Sequence, residues 1–389
     1  MRNLDQNSYS SIARRTKASG WLAATALTAL TAYLASTVGA SAESKPPIAK
    51  ENMVLVASVI NTTNPYMISN IEGAKALSAK LGIPLEIVNS NGSSQTEISK
   101  IQAILAGGKT VIMFVNTVAS SDAPTIVDAV KQAGGYVTIW WNNPNEHKPA
   151  DVGDNFVAFQ KIPGVLSGRC GADAIGNALG GKGNVVMLPG VQDSTTSKTR
   201  VAGFNAQMKE KFPGITILEA RPSNWDPQLG NRNAKDLIVK YGDKINGVWS
   251  ADDGMQIGAM QAFENAGLLD KVKFASDGLY PETLADLKSG RGNKAIVGET
   301  FHRGYMASAV GLYTAYLTAT GKITPSTLPP EKRESLFELS CVTPDNYQQY
   351  VKYDAPDAAA TFVDALIEKG PWDTSPMKLI GAGPEEMPK

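Results

Sequence analysis

The order of apolar and polar residues over 53–82 predicts a strand, a polar turn and a helix. Residues 53–60 are an apolar, β-branched run of the kind that forms a strand buried on both faces. Polar residues 61–64 end it, and Pro65 suits the first turn of a following helix. One helix face is then marked by spacings of three and four, at Ile68, Ile71, Ala74, Leu77 and Leu81. The turn therefore lies at the carboxyl end of a strand, where ligands bind in open α/β sheets.

The same unit returns near residue 184. Residues 185–188 predict a strand and residues 189–197 a polar loop. The next helix face consists of Val201, Phe204, Met208 and Phe212. A second apolar strand follows each copy, at 84–88 and 215–220. The pattern predicts an α/β fold of two lobes, each with a doubly wound parallel sheet, that present strand-end loops to a common cleft.

The remaining apolar runs complete the two lobes. Strands are predicted at 111–115, 136–139, 248–249, 272–275, 295–297 and 336–339. A long helix is expected over 302–317, and the Pro-, Asp- and Glu-rich residues 342–389 are expected to wrap the surface. The glycine cluster at 180–183 precedes a strand and matches neither G-x-G-x-x-G nor the Walker pattern, so it predicts a turn and no phosphate loop.

Charge and composition exclude several classes of function. Lys plus Arg and Asp plus Glu both number 37, so the net charge is zero and no basic stripe indicates nucleic-acid binding. Two cysteines and two histidines provide too few ligands for a Cys-rich zinc site or for His-based catalysis. We therefore expect no metal, no cofactor and no catalytic residue.

Residues 1–42 have the pattern of a cleaved export signal. Arg14, Arg15 and Lys17 precede an apolar segment at 21–38, and residues 40–42 form an A-x-A cleavage site. The alternative is a membrane anchor, for which this apolar segment is short. The Arg14-Arg15 pair suggests twin-arginine export, although the apolar residues expected directly after such a pair are absent. We expect export to the periplasm.

The predicted strand ends carry side chains suited to a small polar ligand. Amides, carboxylates and basic groups bind adjacent hydroxyls, and aromatic faces cover the C–H faces of a sugar ring. The candidate ligand-binding residues are Asn64, Tyr66, Asn116, Trp140, Trp141, Lys198, Arg200, Trp225, Asp252, Asp277 and Glu299.

Some of these positions have a structural alternative. Adjacent Trp140 and Trp141 cannot face the same way on a strand, so one is expected on the ligand and the other in the core. Asp277 is expected to contact ligand, although it could instead cap a helix. Asp253 is expected to be a cap or a solvated residue, and His302 a surface or hinge residue. Trp249, inside a strand, is expected in the core.

Three ordered motifs carry a family resemblance. Asn64-Pro65-Tyr66 follows the first strand, Arg200-x-x-Gly203-Phe204 opens a helix, and residues 250–255 read Ser-Ala-Asp-Asp-Gly-Met. Together they resemble the ribose-type periplasmic sugar-binding proteins, the solute receptors of ABC importers. The resemblance implies the type I periplasmic-binding-protein fold, with two lobes that close around a ligand at a three-segment hinge.

The resemblance also implies domain boundaries. Residues 43–155 and 300–337 would form the amino-terminal lobe, and residues 156–299 and 338–389 the carboxyl-terminal lobe and tail. The crossings would lie at 153–157, 297–300 and 336–342. Cys170 and Cys341 lie near these crossings, and both a disulfide and two free thiols remain open.

The family roles map onto this chain residue by residue. The amide and aromatic after the first strand fall on Asn64 and Tyr66, and the basic sugar ligand on Lys198, with Arg200 close by. The remaining implied ligand contacts are Trp225, Asp252, Asp277 and Glu299. Ribose binders have an Asp-Arg pair where this chain has Trp140-Trp141, which favours another pentose, a polyol or a branched sugar over ribose. An amine-bearing ligand held by Trp faces and carboxylates is the alternative.

The predicted function is therefore that of a monomeric, non-catalytic receptor. It would bind a sugar or polyol and deliver it to an ABC permease by hinge closure. Delivery to a chemoreceptor or sensor kinase is compatible with this role. A glycosidase would need a carboxylate pair that no motif places, and a repressor would need a helix-turn-helix where the export signal lies.

Overall fold

The computed structural model describes residues 47–383, 387 and 388; the predicted export signal lies outside them. The strands in chain order are β1 (Met53–Val59), β2 (Leu85–Asn89), β3 (Thr110–Val115), β4 (Tyr136–Trp140), β5 (Phe156–Lys161), β6 (Lys182–Leu188), β7 (Gly214–Ala220), β8 (Gly247–Ser250), β9 (Lys273–Ala275), β10 (Ile296–Phe301), β11 (Glu334–Phe337), β12 (Ser340–Val342) and β13 (Leu379–Ala382).

The helices alternate with these strands. They are α1 (Pro65–Leu81), α2 (Ser94–Leu105), α3 (Asp122–Gln132), α4 (Pro149–Val152), α5 (Gly164–Ala178), α6 (Thr195–Lys211), α7 (Pro227–Tyr241), α8 (Asp253–Asn265), α9 (Pro281–Ser289), α10 (Arg291–Lys294), α11 (Gly304–Ala319), α12 (Pro330–Arg333) and α13 (Ala358–Lys369). Short 3₁₀ turns occupy Lys50–Asn52, Gly242–Lys244, Leu269–Lys271, Pro325–Thr327 and Tyr347–Asp354.

The described strands form two sheets, one in each lobe. The first sheet has the order β13-β11-β5-β4-β3-β1-β2 and the second β12-β10-β9-β8-β6-β7. Pairing is parallel except where β13 joins β11 and β12 joins β10. All seven residues of β1 are buried, as expected for a strand covered by helices on both faces. The predicted two-lobed α/β fold is confirmed.

Capping side chains fix where the helices at the strand ends begin. Asn64 accepts a hydrogen bond from the backbone N–H of Tyr66, and Pro65 follows it in the first turn of α1. Ser194 caps α6, Asp226 caps α7 and Asp252 caps α8 in the same way. Each cap satisfies an otherwise unpaired N–H of the first turn. The polar strand-end turns are therefore fixed loops.

The three predicted crossings between the lobes exist, and two lie a few residues later than expected. Strand β5 pairs with β4 and β11, so the chain leaves the first lobe at 162–163 and the predicted boundary at 155 is wrong. The second crossing falls at 302–303, between β10 and α11, and the third at 338–339. Strand pairing decides these positions, because an apolar run does not reveal which sheet it joins.

The carboxyl-terminal tail corrects the predicted domains. Residues 338–389 were expected to stay with the second lobe. Within the described chain, the turn at Tyr347–Asp354 does lie on β10, where Tyr350 stacks on Phe301. The chain then crosses a fourth time at 355–357, because α13 packs on α1 and α11 and β13 extends the first sheet.

A disulfide joins Cys170 on α5 to Cys341 on β12, with Cα atoms 5.7 Å apart. Both elements belong to the second lobe, and each follows a crossing from the first lobe, so the bond joins two segments within one lobe. The question that the sequence left open is answered in favour of the disulfide. Among residues 47–383, 387 and 388, no helix is long and apolar enough to cross a membrane.

Candidate functional site

A small cavity lies where the strand-end loops of the two lobes meet. Its volume is about 30 Å³, less than a sugar ring occupies. Its walls come from both lobes and from the second crossing. The lining residues are Ile60, Tyr66, Met67, Asn116, Trp141, Asn142, Thr196, Arg200, Trp225, Asp252, Tyr280 and His302. Six of the eleven predicted ligand-binding residues are among them.

Asn64 and Asp252 bring the two lobes into direct contact at the cavity wall. Asn64 caps α1 through its side-chain oxygen, and its Nδ2 donates to Oδ1 of Asp252 at 3.0 Å and to the Trp225 carbonyl at 3.2 Å. Asp252 in turn caps α8. The prediction placed both residues at the ligand, but in this structure Asn64 acts through Asp252 and does not line the cavity.

The rings of Tyr66, Trp141, Tyr280 and His302 form one wall, and Trp140 lies behind them. Tyr66 stacks on Tyr280 with ring centres 6.1 Å apart and meets the edge of His302 at 4.9 Å. The indole N–H groups of Trp140 and Trp141 both donate to the Tyr66 hydroxyl, at 3.0 and 2.9 Å. Stacked and edge-to-face aromatic contacts of this kind hold each ring in a fixed orientation.

The convergence of the two indoles contradicts the expectation from strand geometry. Trp140 is the last residue of β4, whereas Trp141 has φ 71°, in the left-handed region that non-glycine residues rarely adopt. The chain therefore leaves the strand between them, and alternation of faces no longer applies. Trp140 is fully buried and packs on Phe337, while Trp141 lines the cavity. One indole is thus in the core and the other lines the cavity, while stacking of Trp141 on a ligand stays a prediction.

Behind the aromatic wall, Arg200 and Asp277 form a buried ion pair. Nη2 of Arg200 lies 2.7 Å from Oδ1 of Asp277, and Nη1 donates to the Ala251 carbonyl at 2.6 Å. Asp277 also accepts hydrogen bonds from Ser167 Oγ and from Nε2 of His302. These partners surround the carboxylate, and Asp277, which was expected to contact the ligand, is not among the residues that line the cavity.

The pair sets the protonation states around the cavity. Burial alone would raise the pKa of Asp277, but Arg200 and then His302 outweigh it and hold that pKa below its usual value. Burial lowers the pKa of His302, which Asp277 opposes only in part. Arg200 also lies over the Trp141 ring at 4.7 Å, so one face of that indole already holds a cation.

Asp252 is the carboxylate that lines the cavity in the described chain. Oδ1 accepts from Asn64 and from the Met255 backbone, and Oδ2 accepts from the Tyr280 hydroxyl at 2.6 Å. Burial raises the pKa of Asp252 to about 6, and the neighbouring Asp253 adds to the rise. The hydrogen bonds from Tyr280 and Asn64 limit the shift because they favour the charged form.

Glu299 is buried and does not line the cavity. Its Oε1 accepts from Gln256 Nε2 at 2.7 Å, and burial followed by repulsion from Asp253 raises its pKa well above the usual value. Asp253 was expected to be a cap or a solvated residue, but it is fully buried and accepts the Tyr280 backbone N–H at 2.7 Å. Asp253 thus holds the backbone of Tyr280, which lines the cavity, and Glu299 lies next to Asp253.

Lys198 is wrongly placed by the family resemblance. Its side chain is 55% exposed and pairs with Asp193 on the surface. Thr196 and Arg200, four positions apart on α6, share the face that lines the cavity, and Lys198 lies midway between them on the opposite face. Trp225 and Asn116 line the cavity as predicted.

Sequence reasoning missed several lining residues. Tyr280 follows the strand end at Ser276-Asp277, and Thr196 lies one helical turn before Arg200. Their positions next to predicted site residues could therefore have identified both as candidates. Met67 and Ile60 had none, because apolar residues at a strand end are equally expected in the core. His302 was expected at the surface or the hinge; it lies at the second crossing, buried and lining the cavity.

In the described residues no group of three or more His, Cys, Asp and Glu side chains is placed to hold a metal ion. The charged groups around the cavity are instead paired with each other, with backbone atoms or with neutral side chains such as Tyr280. What the site offers is an aromatic wall with hydrogen-bonding atoms from two lobes, which is the general composition of a small-molecule cleft.

Comparison with known proteins agrees with this geometry. Residues 55–318 match the family described as periplasmic binding protein domain. The ribose import binding protein of Salmonella typhimurium is 27% identical over 259 residues, covering 66% of this chain and 81% of that protein. The xylitol-binding protein of Mycolicibacterium smegmatis is 25% identical over 297 residues, covering 76% and 79%.

A solved structure from Burkholderia phytofirmans, described as a twin-arginine translocation pathway signal protein, is 30% identical with a TM-score of 0.77. It covers 86% of this chain and 99% of its own. The family match spans more than half of the chain and includes both lobes and the cavity between them. This protein belongs to the periplasmic binding protein family.

Proposed function

We propose that the protein is an exported receptor that binds a small sugar or polyol between its lobes and delivers it to an ABC import permease. The carrying observation is the cavity itself, in which aromatic rings and hydrogen-bonding groups from both lobes converge at the strand ends. A hydroxyl both donates and accepts, so a polyol can serve Asp252 and the lining donors at once. Relatives described as ribose- and xylitol-binding proteins support this ligand class.

Binding requires the lobes to separate and close again, because the cavity of about 30 Å³ is too small to admit a sugar. The crossings at 162–163, 302–303, 338–339 and 355–357 are the segments that can absorb such a movement. Ligand contacts made by both lobes would then favour the closed arrangement. A permease could distinguish the closed form from the open one.

Export is supported by residues 1–42, which carry the sequence features of a cleaved signal. The Burkholderia phytofirmans relative is described as a twin-arginine translocation pathway signal protein. This description supports the twin-arginine export route that the Arg14-Arg15 pair suggests. Intact-mass measurement of the protein recovered from the periplasm tests cleavage after Ala42. The double substitution Arg14→Lys with Arg15→Lys should abolish export if the route is the twin-arginine one, and should leave it intact if the general secretory route is used.

The ligand class is tested by a thermal-shift screen of pentoses, hexoses, polyols, sugar acids and amines. A ligand at 100 times its Kd stabilises the folded state by about 2.7 kcal/mol and raises the melting temperature. Trp225→Ala removes a lining side chain and should abolish the shift.

The matched control is Lys198→Ala, on the exposed face of α6, which should leave the shift unchanged. A well-folded protein that responds to no sugar or polyol would refute the proposed ligand class. Loss of the shift in the control as well would refute the location of the site.

A further inference from the structure

The Tyr66 hydroxyl has an unusual set of hydrogen-bond partners. A phenol has one proton to donate and two acceptor positions, and both acceptor positions are filled by the indole N–H groups of Trp140 and Trp141. An indole N–H can only donate, so neither contact can be reversed. The phenol proton must therefore point in the remaining direction, and no described residue accepts it.

The ring that carries this hydroxyl cannot easily turn away. It is only 3% exposed, stacked on Tyr280, and held edge-on by His302 and Trp141. Burial also raises the pKa of Tyr66 above its usual value, so the phenol keeps its proton. Tyr66 lines the cavity between the lobes, and its O–H donor is without an acceptor among the described residues.

Other lining residues also carry hydrogen-bond donors that need an acceptor on the ligand. Nε of Arg200 and Nε1 of Trp225 are buried donors without a partner among the described residues. On the acceptor side, Asp252 is engaged by Asn64, Met255 and Tyr280, and Nδ1 of His302 is the buried unpartnered ring nitrogen of the described lining. An ammonium group has three donors and no acceptor, so it cannot satisfy Tyr66.

We infer that Trp140 and Trp141 lock Tyr66 as a hydrogen-bond donor, and that this lock selects a ligand oxygen over a ligand ammonium at the position facing Tyr66. The inference deepens the proposed function and rests on it, because it assigns specificity within the same cleft. Trp141 and Tyr66 contact the ligand space, whereas Trp140 lies behind them and is a positioning residue. The aromatic pair thus argues against the amine-bearing alternative, although Trp rings and carboxylates in the sequence had kept it open.

The decisive variant is Trp140→Phe. Phenylalanine keeps a ring against Phe337 but removes one N–H, which frees one acceptor position on Tyr66. The phenol can then rotate and accept a hydrogen bond from a ligand. The variant should therefore relax specificity and leave the affinity for neutral ligands nearly unchanged.

The probes are xylitol, D-arabinose and myo-inositol, each compared by calorimetry with analogues in which one hydroxyl at a time is replaced by an ammonium group. In the wild-type protein, the analogue with the ammonium at Tyr66 should bind about tenfold or more weakly than its parent, the cost of facing donor to donor. In Trp140→Phe the ratio of the parent's affinity to the ammonium analogue's affinity should fall severalfold. In Tyr66→Phe the neutral parent should lose affinity and the ratio should also collapse.

The matched control is Trp249→Phe, a buried strand tryptophan stacked on Phe204 at 4.7 Å and away from the cavity. It removes an indole at similar cost to packing, and it should leave the ratio at the wild-type value. A change in overall affinity without a change in the ratio would mean that Trp140 is merely structural. Should Trp140→Phe fail to fold, Trp141→Phe removes the other N–H and should lower the same ratio, although its overall affinity will also change because Trp141 lines the cavity.

The outcomes separate this inference from the proposed function. If neutral probes bind but the ratio is the same in wild type and Trp140→Phe, the donor lock is wrong and the sugar or polyol receptor stands. If only ammonium-bearing probes bind to the wild-type protein, both are wrong. A wild-type ratio that falls in Trp140→Phe and stays constant in Trp249→Phe supports both.

Discussion

At the scale of single residues, the site depends on side chains that perform two tasks at once. Asp252 caps α8, holds Asn64 of the other lobe and accepts the Tyr280 hydroxyl while it lines the cavity. These hydrogen bonds compensate only part of the cost of burying a carboxylate, because its pKa remains raised to about 6. Ionisation of Asp252 in the folded protein therefore lowers the free energy of unfolding.

This raised pKa predicts how stability depends on pH. The folded state binds a proton on Asp252 up to about pH 6, whereas the unfolded chain releases it near 3.8. Stability should therefore fall as pH rises from about 4 to 6, by about 3 kcal/mol from this group alone. Asp252→Asn removes the titration, so its stability should fall less than that of the wild type over this window.

Urea unfolding at about pH 4, 5, 6 and 7 measures the effect across this window. The control is Asp277→Asn, because the pKa of Asp277 is lowered and its stabilising contribution is lost only as pH falls below about 4, outside this window, so the variant should keep the wild-type slope of stability against pH. Parallel pH profiles for Asp252→Asn and the wild type would contradict the assignment.

The residue-level prediction was wrong at Lys198, although the local pattern carries the information that separates Lys198 from Arg200. Arg200 and Lys198 are two positions apart on α6, and helical spacing from Thr196 separates the lining side chain from the exposed one. The partners of Asp277 could not be predicted, because Ser167, Arg200 and His302 come from three distant parts of the chain.

At the scale of elements, the carboxyl-terminal tail adds a connection between the lobes beyond the three expected ones. It leaves the second lobe after the turn at Tyr347–Asp354 and places α13 against α1 and α11. The crossing is anchored by Arg303, whose Nε and Nη2 donate to the two carboxylate oxygens of Asp354 at 2.8 and 3.0 Å. Arg303 itself lies in the second crossing, so one bidentate ion pair joins two crossings.

Asp354→Ala should therefore destabilise the protein by about 3 kcal/mol, because it leaves the nearly buried Arg303 without its partner. The control is Asp364→Ala on α13, whose ion pair with Lys80 is more than half exposed and contributes about 1 kcal/mol or less. Chemical unfolding with urea measures both. Equal losses for the two variants would show that the Arg303 pair contributes no more than a surface contact.

The elements themselves were largely predictable, and their sheet membership was not. The helix periods of α1, α6 and α11 and the apolar runs of β1, β3 and β6 are local features of the sequence. Which sheet receives β5 or β13 depends on hydrogen bonds to strands far away in the chain, such as β11. The predicted boundary at 155 and the predicted tail failed for this reason.

At the scale of the whole molecule, the lobes touch directly on one side of the cavity. The Ser120 N–H donates to the Asp193 carbonyl at 2.7 Å, and the hydroxyls of Ser120 and Thr195 lie 3.1 Å apart. Ser194 Oγ donates to Oδ1 of Asn142 at 2.7 Å. These contacts must break if the lobes separate to admit a ligand.

A cross-link at this contact tests the proposed opening. Ser120→Cys with Thr195→Cys places two thiols where the hydroxyls now meet, and oxidation should hold the lobes together. Ligand association, followed by stopped-flow tryptophan fluorescence, should then slow by about tenfold or more, as expected when the binding-competent state becomes rare.

Mild reduction of the new cross-link should restore the rate. The wild-type protein under the same oxidising and reducing conditions controls for the Cys170–Cys341 disulfide. An unchanged association rate in the oxidised double variant would mean that ligand enters without separation of the lobes at this contact.

The α/β class, the repeat of strand, polar turn and helix, and the polar and aromatic residues at strand ends were all predictable from the amino-acid sequence. These follow from hydrophobic periodicity and from turn and cap chemistry, which are local properties. Which of those side chains meet became visible only in the folded chain. The left-handed turn at Trp141 brings both indoles to Tyr66, and the loops of two separate sheets bring Asn64 to Asp252. Such contacts depend on backbone turns and long-range strand pairing, for which a linear pattern carries no signal.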